Sequence, residues 1–357
     1  MSKPYFYLIV IFFMTSCGQV NKEKTIESVD WSVYLGGPDS NQFSSLKQIN
    51  KQNVNKLKLA WRYDSGSEEA SNWSQIQCNP IIVEGVLFGT SPELMLFALN
   101  AETGELIWEF NPDVNEEFSA HVNRGVSYWQ EGDDKRLFFS AGSNLFAINA
   151  NTGESITSFG VDGIVSLKTG LGERSQDSYV VARTPGIIYE DYLIIGSVVS
   201  ETMGAATGHI RAFNARTGEM EWIFHTIPQP GELGYETWPK DAYTYAGGAN
   251  NWAGMSLDLK RGVVFCPTGS AAYDFWGGNR KGENLFANCL IALDAKTGER
   301  IWHYQTVHHD IWDKDLPAPP NLIQVERNGK KVDAVAQITK QGYVFLFDRE
   351  YMVFFYS

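Results

Sequence analysis

The sequence predicts an all-β protein of the β-propeller class, and two observations carry this prediction. A motif of 13 residues occurs four times, and helical periodicity is nearly absent between the copies. Each copy joins two apolar runs through Asn or Asp, Ala and Thr-Gly, a tight turn whose glycine can take a positive φ. Each copy is therefore predicted to be a β-hairpin. The copies are LFALNAETGELIW ending at Trp108, LFAINANTGESIT ending at Thr157, IRAFNARTGEMEW ending at Trp222 and LIALDAKTGERIW ending at Trp302.

Further strands are expected between the hairpins, because the successive turn glycines are 49, 65 and 80 residues apart. The intervening sequence contains paired apolar runs around short polar turns: IIVEGVLFGTS, GIIYEDYLIIGSVV, MSLDLKRGVVFCPTG and LIQVERNGKKVDAVAQIT. Each repeat then holds about four antiparallel strands, the content of one propeller blade, and its closing Trp can dock between neighbouring sheets. We expect about five blades, and YVFLFDRE begins a fifth copy of the hairpin that is not completed, so the last blade is incomplete.

Two long segments exceed what a blade requires. Residues 225–250 and 269–287 are rich in glycine and aromatic residues. Long loops on a rigid frame usually carry function. We therefore expect these insertions to contribute to a binding site.

Composition restricts the class of partner. The chain has 357 residues, 43% of them hydrophobic, and a net charge of −13 without any cluster of Lys and Arg. A globular protein with this charge lacks the basic surface that binds phosphate backbones, so nucleic acid is not an expected partner.

The first residues predict export. MSKPYFYLIVIFFMTSC joins a basic start to an apolar run that is short for a membrane span, as in a secretory signal. Met14-Thr15-Ser16-Cys17 resembles a lipobox, which predicts a lipoprotein signal peptide at 1–16, lipidation of Cys17, a polar tether at 17–30 and the propeller domain at 31–357. An ordinary signal peptide with a chance cysteine is the alternative. We expect a lipid-anchored protein on the periplasmic side of the cell envelope.

Three cysteines remain after export, namely Cys78, Cys266 and Cys289. An odd number with wide spacing fits neither a disulfide framework nor a zinc site. We expect free thiols without a catalytic role.

The stretch TVHHDIWDKDLPAPP at residues 306–320 concentrates groups that can act in chemistry. Asp313 and Asp315 point to opposite sides of an extended chain, yet both can reach one cation if the loop bends. A solvated acidic loop is an equal alternative, and a zinc site at His308 and His309 is disfavoured because no third ligand lies at a matching spacing. Trp312 indicates a partly buried loop.

Several further motifs carry a resemblance to a known family. The repeated hairpin together with AHVNRGVSYW, GGANNWAGM, HHDIWDKDLPAPPNL and ITKQGYVFLFDR closely resembles the pyrroloquinoline quinone (PQQ) dependent dehydrogenases, especially the membrane-bound glucose dehydrogenase-like branch. The resemblance runs from Trp31 to Arg349 and implies a propeller that has eight blades in the family. A methanol-oxidising enzyme is disfavoured, because His121 stands where those relatives carry an adjacent cysteine pair.

The resemblance implies roles in holding the cofactor. Arg124 matches the arginine that pairs with a PQQ carboxylate, a task that suits a planar guanidinium. Trp252 matches the tryptophan on which the quinone stacks. Lys340 matches the basic residue near the reactive carbonyls, and Gln77 falls where relatives place a polar contact.

It also implies a metal site and a catalytic base. Glu201 matches a metal-binding glutamate, Ser270 stands where relatives carry an asparagine ligand, and Asp274 is a nearby oxygen donor. Asp313 matches the general base, which takes the hydroxyl proton of the substrate while hydride passes to the quinone C5 carbonyl, and it lies at the metal. Asp315 is an extra ligand in relatives that use lanthanides; otherwise Ca²⁺ or Mg²⁺ is expected.

The resemblance thus implies PQQ-dependent oxidation of a sugar or another alcohol, with electrons passing to a membrane quinone or a cytochrome. Two alternatives stay open. A lipoprotein propeller can be a non-enzymatic scaffold of the envelope, which needs the Trp hairpins but none of the site residues. The chain can also be an inactive, truncated fragment of the enzyme, because YMVFFYS replaces the expected Thr-Gly after Glu350.

Overall fold

The computed structural model describes residues 30–66, 75–112 and 122–351. The predicted signal peptide, Cys17, the tether apart from Asp30, and His121 lie outside the described residues.

The chain begins with two sheets of four antiparallel strands, each strand paired with its neighbour in sequence. Sheet 1 consists of β1 (Ile81–Val83), β2 (Val86–Thr90), β3 (Leu96–Asn100) and β4 (Leu106–Phe110). Sheet 2 consists of β5 (Ser127–Glu131), β6 (Asp134–Ala141), β7 (Asn144–Asn149) and β8 (Ile164–Ser166).

The next strands form sheet 3 and a separate two-stranded ladder. They are β9 (Val180–Val181), β10 (Ile187–Tyr189), β11 (Tyr192–Ile195), β12 (Val198–Val199), β13 (Ile210–Asn214) and β14 (Met220–Phe224). Strands β10, β11, β13 and β14 make sheet 3, while β9 pairs with β12.

Sheet 4 repeats this arrangement with a second short ladder, and sheet 5 has three strands among the described residues. The strands are β15 (Gly247–Gly248), β16 (Ser256–Asp258), β17 (Val263–Pro267), β18 (Ala271–Ala272), β19 (Cys289–Asp294), β20 (Arg300–Gln305), β21 (Asn321–Arg327), β22 (Lys330–Ile338) and β23 (Val344–Asp348). Sheet 4 contains β16, β17, β19 and β20, and β15 pairs with β18.

Helices are short in the described part of the chain. There are 3₁₀ turns at Tyr34–Gly36, Val54–Lys56, Glu173–Ser175 and Tyr235–Thr237, and one α-helical turn, α1 (Ala242–Tyr245). No helix among the described residues is both long and apolar enough to span a bilayer. The all-β prediction is confirmed.

The hydrophobic core lies between successive sheets. Four clusters of buried side chains join sheet 1 to sheet 2, sheet 2 to sheet 3, sheet 3 to sheet 4 and sheet 4 to sheet 5. The first strands of the sheets are neighbours, since β10 contacts both β5 and β16, and β16 contacts β21. Successive sheets that pack face to face in this way define propeller blades.

The closing tryptophans dock as predicted. The Trp108 ring covers Gly153, and its Nε1 donates to the Ala150 carbonyl at 3.1 Å. Trp222 covers Gly298 in the same way, and Trp302 Nε1 donates to the Arg349 carbonyl at 3.0 Å. A Cβ at Gly153 would lie 2.7 Å from the ring, and its φ is +76°, so the turn requires glycine. Each Trp thereby joins its own sheet to the next.

Two positions depart from the predicted repeat. Trp61 docks on the first hairpin, covering Gly104 and donating from Nε1 to the Ala101 carbonyl at 3.1 Å, although no Thr-Gly turn precedes it. In the second copy, which ends at Thr157, the residues after the turn form an isolated bridge to β7, and β8 supplies the outer strand instead. The missing Trp thus coincides with an irregular hairpin.

An N-terminal segment ties the first strands of three sheets together. Trp31 pairs with Ile82 of β1. The Pro38 carbonyl accepts from Leu257 N of β16 at 2.7 Å, and the Asp39 carbonyl accepts from Leu322 N of β21 at 3.0 Å. Residues 31–39 therefore cross-link parts of the chain that are far apart in sequence.

The three described cysteines are free thiols, as expected. Cys266 and Cys289 are buried, and burial raises the pKa of all three thiols. A thiol with a raised pKa is a poor nucleophile.

Candidate active site

A cavity of about 270 Å³ is formed by loops that connect the sheets. Arg124 precedes β5, Glu201 follows β12, Trp252 follows β15, and Lys340 lies in the turn from β22 to β23. The cavity lining includes seven residues that were predicted from the sequence, namely Arg124, Glu201, Trp252, Ser270, Asp274, Asp315 and Lys340. Loops from four sheets thus bring together side chains that are up to 216 positions apart in the sequence.

The Trp252 side chain is held on two sides. The Arg124 guanidinium lies 5.5 Å from the Trp252 ring centroid, a cation–π distance. Trp252 Nε1 donates to Asp315 Oδ2 at 2.9 Å, and Thr184 Oγ1 donates to the Trp252 carbonyl at 2.8 Å. These contacts fix the orientation of a flat aromatic surface at the cavity wall.

Lys340 contacts two of the three aspartates in the 306–320 loop, Asp313 and Asp315. Its Nζ lies 2.8 Å from Asp313 Oδ1 and 3.4 Å from Asp315 Oδ2. Burial lowers the pKa of Lys340, but the hydrogen bond to Asp313 and the charges of both aspartates outweigh it, so the pKa is raised. The loop therefore bends enough for Asp313 and Asp315 to reach one cation, which in this structure is the ammonium group.

Asp313 lies beside the cavity and is not one of its lining residues. Its carboxylate is about one-third exposed and reaches the lining through Lys340. The residue has a φ of +53°, in the left-handed region that Asp enters more readily than most residues. The backbone is thus held in an uncommon conformation at this carboxylate.

Asp310, which the sequence did not single out among the three aspartates, organises the loop. Its carboxylate is buried and accepts from Trp312 N at 3.0 Å and Lys314 N at 2.6 Å. Ser270 Oγ also donates to it, at 2.5 Å. Trp312 itself is 70% exposed, but the loop is partly buried as expected, through Asp310 and Leu316.

Arg280 connects the loop to the 269–287 insertion. The side chain is fully buried, and its Nη2 donates to the carbonyls of Tyr273 at 3.1 Å and Asp310 at 2.5 Å. Its Nη1 donates to Asn284 Oδ1 at 2.8 Å. One guanidinium thereby fixes the backbone next to Asp274 and the backbone three residues before Asp313.

The acidic groups of the cavity repel one another. Burial, together with the charges of Glu201, Asp315 and Asp313, raises the pKa of Asp274 to about 7. Within the described ranges, however, no three His, Cys, Asp or Glu side chains are close enough together to hold a metal ion. His309 Nδ1 instead donates to the Gly282 carbonyl at 2.8 Å, which places it between the two loops.

The other predicted residues occupy different positions. The hydroxyl of Ser270 is engaged with Asp310, while its backbone N donates to Asp315 Oδ1 at 2.6 Å. Gln77 donates from Nε2 to Gln75 at 2.8 Å and is not among the described residues that line the cavity. The structure does not bring Gln77 to the site.

Three basic or polar residues of the lining were not predicted from the sequence, namely Arg183, Ser200 and Asn250. Asn250 Nδ2 donates to the Ser197 carbonyl at 2.8 Å and helps to fix the cavity floor. It belongs to the GGANNWAGM motif, whose asparagines could have been flagged with Trp252.

The sheets with their docked tryptophans and the charged cavity define a propeller protein with a ligand site on the loops between its blades. Residues 31–351 match the family model described as "PQQ: Glucose/ethanol/alcohol dehydrogenase, beta-propeller domain". The chain belongs to this family of PQQ-dependent dehydrogenase domains.

Individual relatives agree with the assignment. The chain is 34% identical to the quinoprotein glucose dehydrogenase of Escherichia coli (strain K12), over 90% of the chain and 42% of that protein. It is 32% identical to the quinate/shikimate dehydrogenase (quinone) of Acinetobacter baylyi, over 90% of the chain and 43% of the relative. A solved quinohemoprotein alcohol dehydrogenase from Pseudomonas putida superimposes with a TM-score of 0.77 at 27% identity, covering 91% and 47% of the two chains. The chain therefore spans less than half the length of these relatives.

Proposed function

We propose that this chain is part of a PQQ-dependent dehydrogenase that oxidises a sugar or another alcohol. The observation that carries the proposal is the fixed Trp252 ring, with Arg124 against it and the Lys340–Asp315 pair at its Nε1. A flat, polyanionic quinone needs an aromatic surface to stack on, a guanidinium for a carboxylate and a cation near its carbonyls. The cavity lining has all three.

The chemistry of the lining also fits the cofactor. The lining presents the guanidinium groups of Arg124 and Arg183 together with the carboxylates of Glu201, Asp274 and Asp315. When bound, PQQ would accept a hydride from the carbinol carbon of the substrate. The residues of the chain would stack the ring system, pair with its carboxylates and exclude water from one face.

Asp313 is proposed as the general base, which takes the proton of the substrate hydroxyl at its carboxylate. In the structure this carboxylate is paired with Lys340, and it is free to accept a proton only when that pair loosens. Lys340 can turn toward a quinone carbonyl, since it already lines the cavity. Movement of one ammonium group would then release the base and place a positive charge at the cofactor.

A divalent cation is the second proposed component. Glu201, Asp274, Asp315 and Asp313 supply the oxygen donors that Ca²⁺ and Mg²⁺ prefer. Burial chiefly raises the pKa of Asp274, and the neighbouring carboxylates add a repulsion that a cation would relieve. A lanthanide would use the same donors. Ser270 would contribute its hydroxyl only by releasing Asp310.

The electron acceptor is proposed to be a membrane quinone or a cytochrome, and the protein is proposed to be lipid-anchored through Cys17 on the periplasmic side of the envelope. The acceptor is supported by the names of two relatives, a quinoprotein glucose dehydrogenase and a quinate/shikimate dehydrogenase (quinone). The anchor is supported by the lipobox-like stretch. Cell fractionation tests this part: a protein that stays soluble with Cys17 intact would contradict the anchor.

The test of the base combines cofactor titration with a dye-linked oxidation assay on glucose and short alcohols. Asp313→Asn is expected to lower kcat by about 10²- to 10⁴-fold, because proton transfer is lost, while the affinity for PQQ stays nearly unchanged. Asp162→Asn is the matched control, since Asp162 is exposed and Asn tolerates its φ of +52°. A parent chain that binds no PQQ would refute the proposal, and an Asp313→Asn variant as fast as the parent would refute the base.

A further inference from the structure

The cavity contains two arginines, and only Arg124 was assigned a role. Arg183 follows β9 and lines the same cavity. The two residues are adjacent through their backbones, since Arg124 N donates to the Arg183 carbonyl at 2.7 Å. Two guanidinium groups therefore face one small space.

Neither guanidinium has an acidic partner within the ranges that the structure describes. Arg124 Nη1 donates to two neutral acceptors, Thr184 Oγ1 at 3.0 Å and the Trp252 carbonyl at 3.4 Å. Arg183 Nη2 donates to the Tyr179 hydroxyl at 3.0 Å, and the buried Arg183 Nε has no acceptor. Buried donors without a partner are costly and usually indicate a missing ligand or water.

The two charges also disfavour each other. Burial lowers the pKa of Arg124, Tyr34 opposes this, and the nearby charge of Arg183 lowers the pKa further. Asp315 does not relieve this repulsion, because it is already held by Lys340, Trp252 and the backbone N of Ser270. The cavity thus has two lining guanidinium groups without an ion-paired carboxylate among the described residues.

We propose that Arg183 is a second carboxylate-binding residue of the cofactor pocket, so that Arg124 and Arg183 each bind a carboxylate of the tricarboxylate PQQ. This inference rests on the proposed function and extends it. An arginine fork binds a carboxylate through two parallel hydrogen bonds, and the free Nε of Arg183 together with an Nη can form such a fork. Tyr179 would hold the other side of the guanidinium in place.

The experiment measures equilibrium binding of PQQ and of its trimethyl ester to the full chain, by quenching of tryptophan fluorescence. Arg183→Met is expected to weaken PQQ binding by about 10- to 100-fold, as for loss of a charged hydrogen bond, and to leave binding of the ester unchanged. Arg183→Lys keeps the charge without the fork and should fall between Met and the parent. Arg300→Met, on the exposed outer strand β20, removes an equal charge outside the cavity and should have no effect.

The outcomes separate the two proposals. If the parent binds PQQ and Arg183→Met binds it equally well, the inference is wrong and the proposed function stands. If the parent binds no PQQ, both are wrong. If circular dichroism shows that Arg183→Met does not fold, the parent and Arg183→Lys provide the test. The inference would be overturned if the parent bound PQQ and the ester with equal affinity, or if Arg183→Lys bound PQQ as tightly as the parent. Competition by inorganic phosphate as strong as by PQQ would also overturn it, by showing a general anion site.

Discussion

The outer hairpins and the cavity loops of this protein satisfy their polar groups in opposite ways. At the hairpins, Trp108, Trp222 and Trp302 each donate their Nε1 to a carbonyl of the next sheet, over a glycine or the equivalent turn. At the cavity, Arg183 has a buried Nε donor without an acceptor. The difference teaches that the docked tryptophans complete their hydrogen bonds within the chain, whereas the cavity loops keep a donor that a ligand can satisfy.

The largest expected effect is on the free energy of unfolding and concerns the outer hairpins. Trp108→Ala should lower the free energy of unfolding by about 3–5 kcal/mol, because a large ring that joins two sheets is lost. Urea denaturation followed by circular dichroism measures it. Leu106→Ala, on the same strand but about half exposed, should cost far less, and equal losses in the two variants would show that the docked ring is not what joins the sheets.

A smaller effect on stability, but a larger one on the cavity, is expected for Arg280. Arg280→Met should cost about 2–3 kcal/mol, since it leaves the carbonyls of Tyr273 and Asp310 without their donor. It should also weaken PQQ binding, because the backbones beside Asp274 and Asp313 lose their common support. Arg280→Lys can restore one of these bonds and should recover part of the affinity. If Arg280→Met alters only the unfolding midpoint and not the affinity for PQQ, Arg280 stabilises the fold, as the hairpins do, and does not support the cavity.

The smallest expected effect concerns pH. Burial, aided by Arg300, lowers the pKa of His303 from its ordinary 6.5 to about 4. Between these values the unfolded chain binds a proton that the folded chain excludes, so His303 contributes stability that is lost as pH falls. Asp274, with its pKa raised to about 7, has the opposite effect over nearly the same window.

His303→Phe should therefore flatten the loss of stability between pH 6.5 and about pH 4, relative to the parent. Urea midpoints measured at several pH values in the presence of a chelator give the two slopes. Both proteins retain Asp274, so the difference between the slopes isolates the histidine. Parallel slopes would mean that His303 titrates normally in the folded protein.

Much of the fold could be predicted because its information is local. Thr-Gly turns between apolar runs specify hairpins whatever surrounds them, and all four gap-filling strand pairs form as expected. The docking of Trp61 on Gly104 was not predicted, because no Thr-Gly turn precedes Trp61 in the sequence. The irregular second hairpin was missed because the sequence motif does not show that β8 replaces the strand ending at Thr157.

The site was predictable in part, for a different reason. Arg124, Trp252 and Lys340 lie in motifs that the family resemblance identifies, and they meet in one cavity. Arg280 binds backbone carbonyls and Asp310 binds backbone N–H groups, whereas the buried Nε of Arg183 has no acceptor. None of these features produces a pattern in the sequence. Gln77 shows the converse, since a motif position alone did not bring it to the cavity.

The N-terminal cross-link has a consequence for how the protein is made. Residues 38 and 39 pair with Leu257 and Leu322, so the strands that receive them leave the ribosome more than 200 residues later. Until then residues 38 and 39 lack these partners, and only the start of the segment, at Trp31, can pair with Ile82 of sheet 1. Completion of this cross-link therefore waits for the synthesis of Leu322, long after the strands of sheets 1 and 2 have left the ribosome.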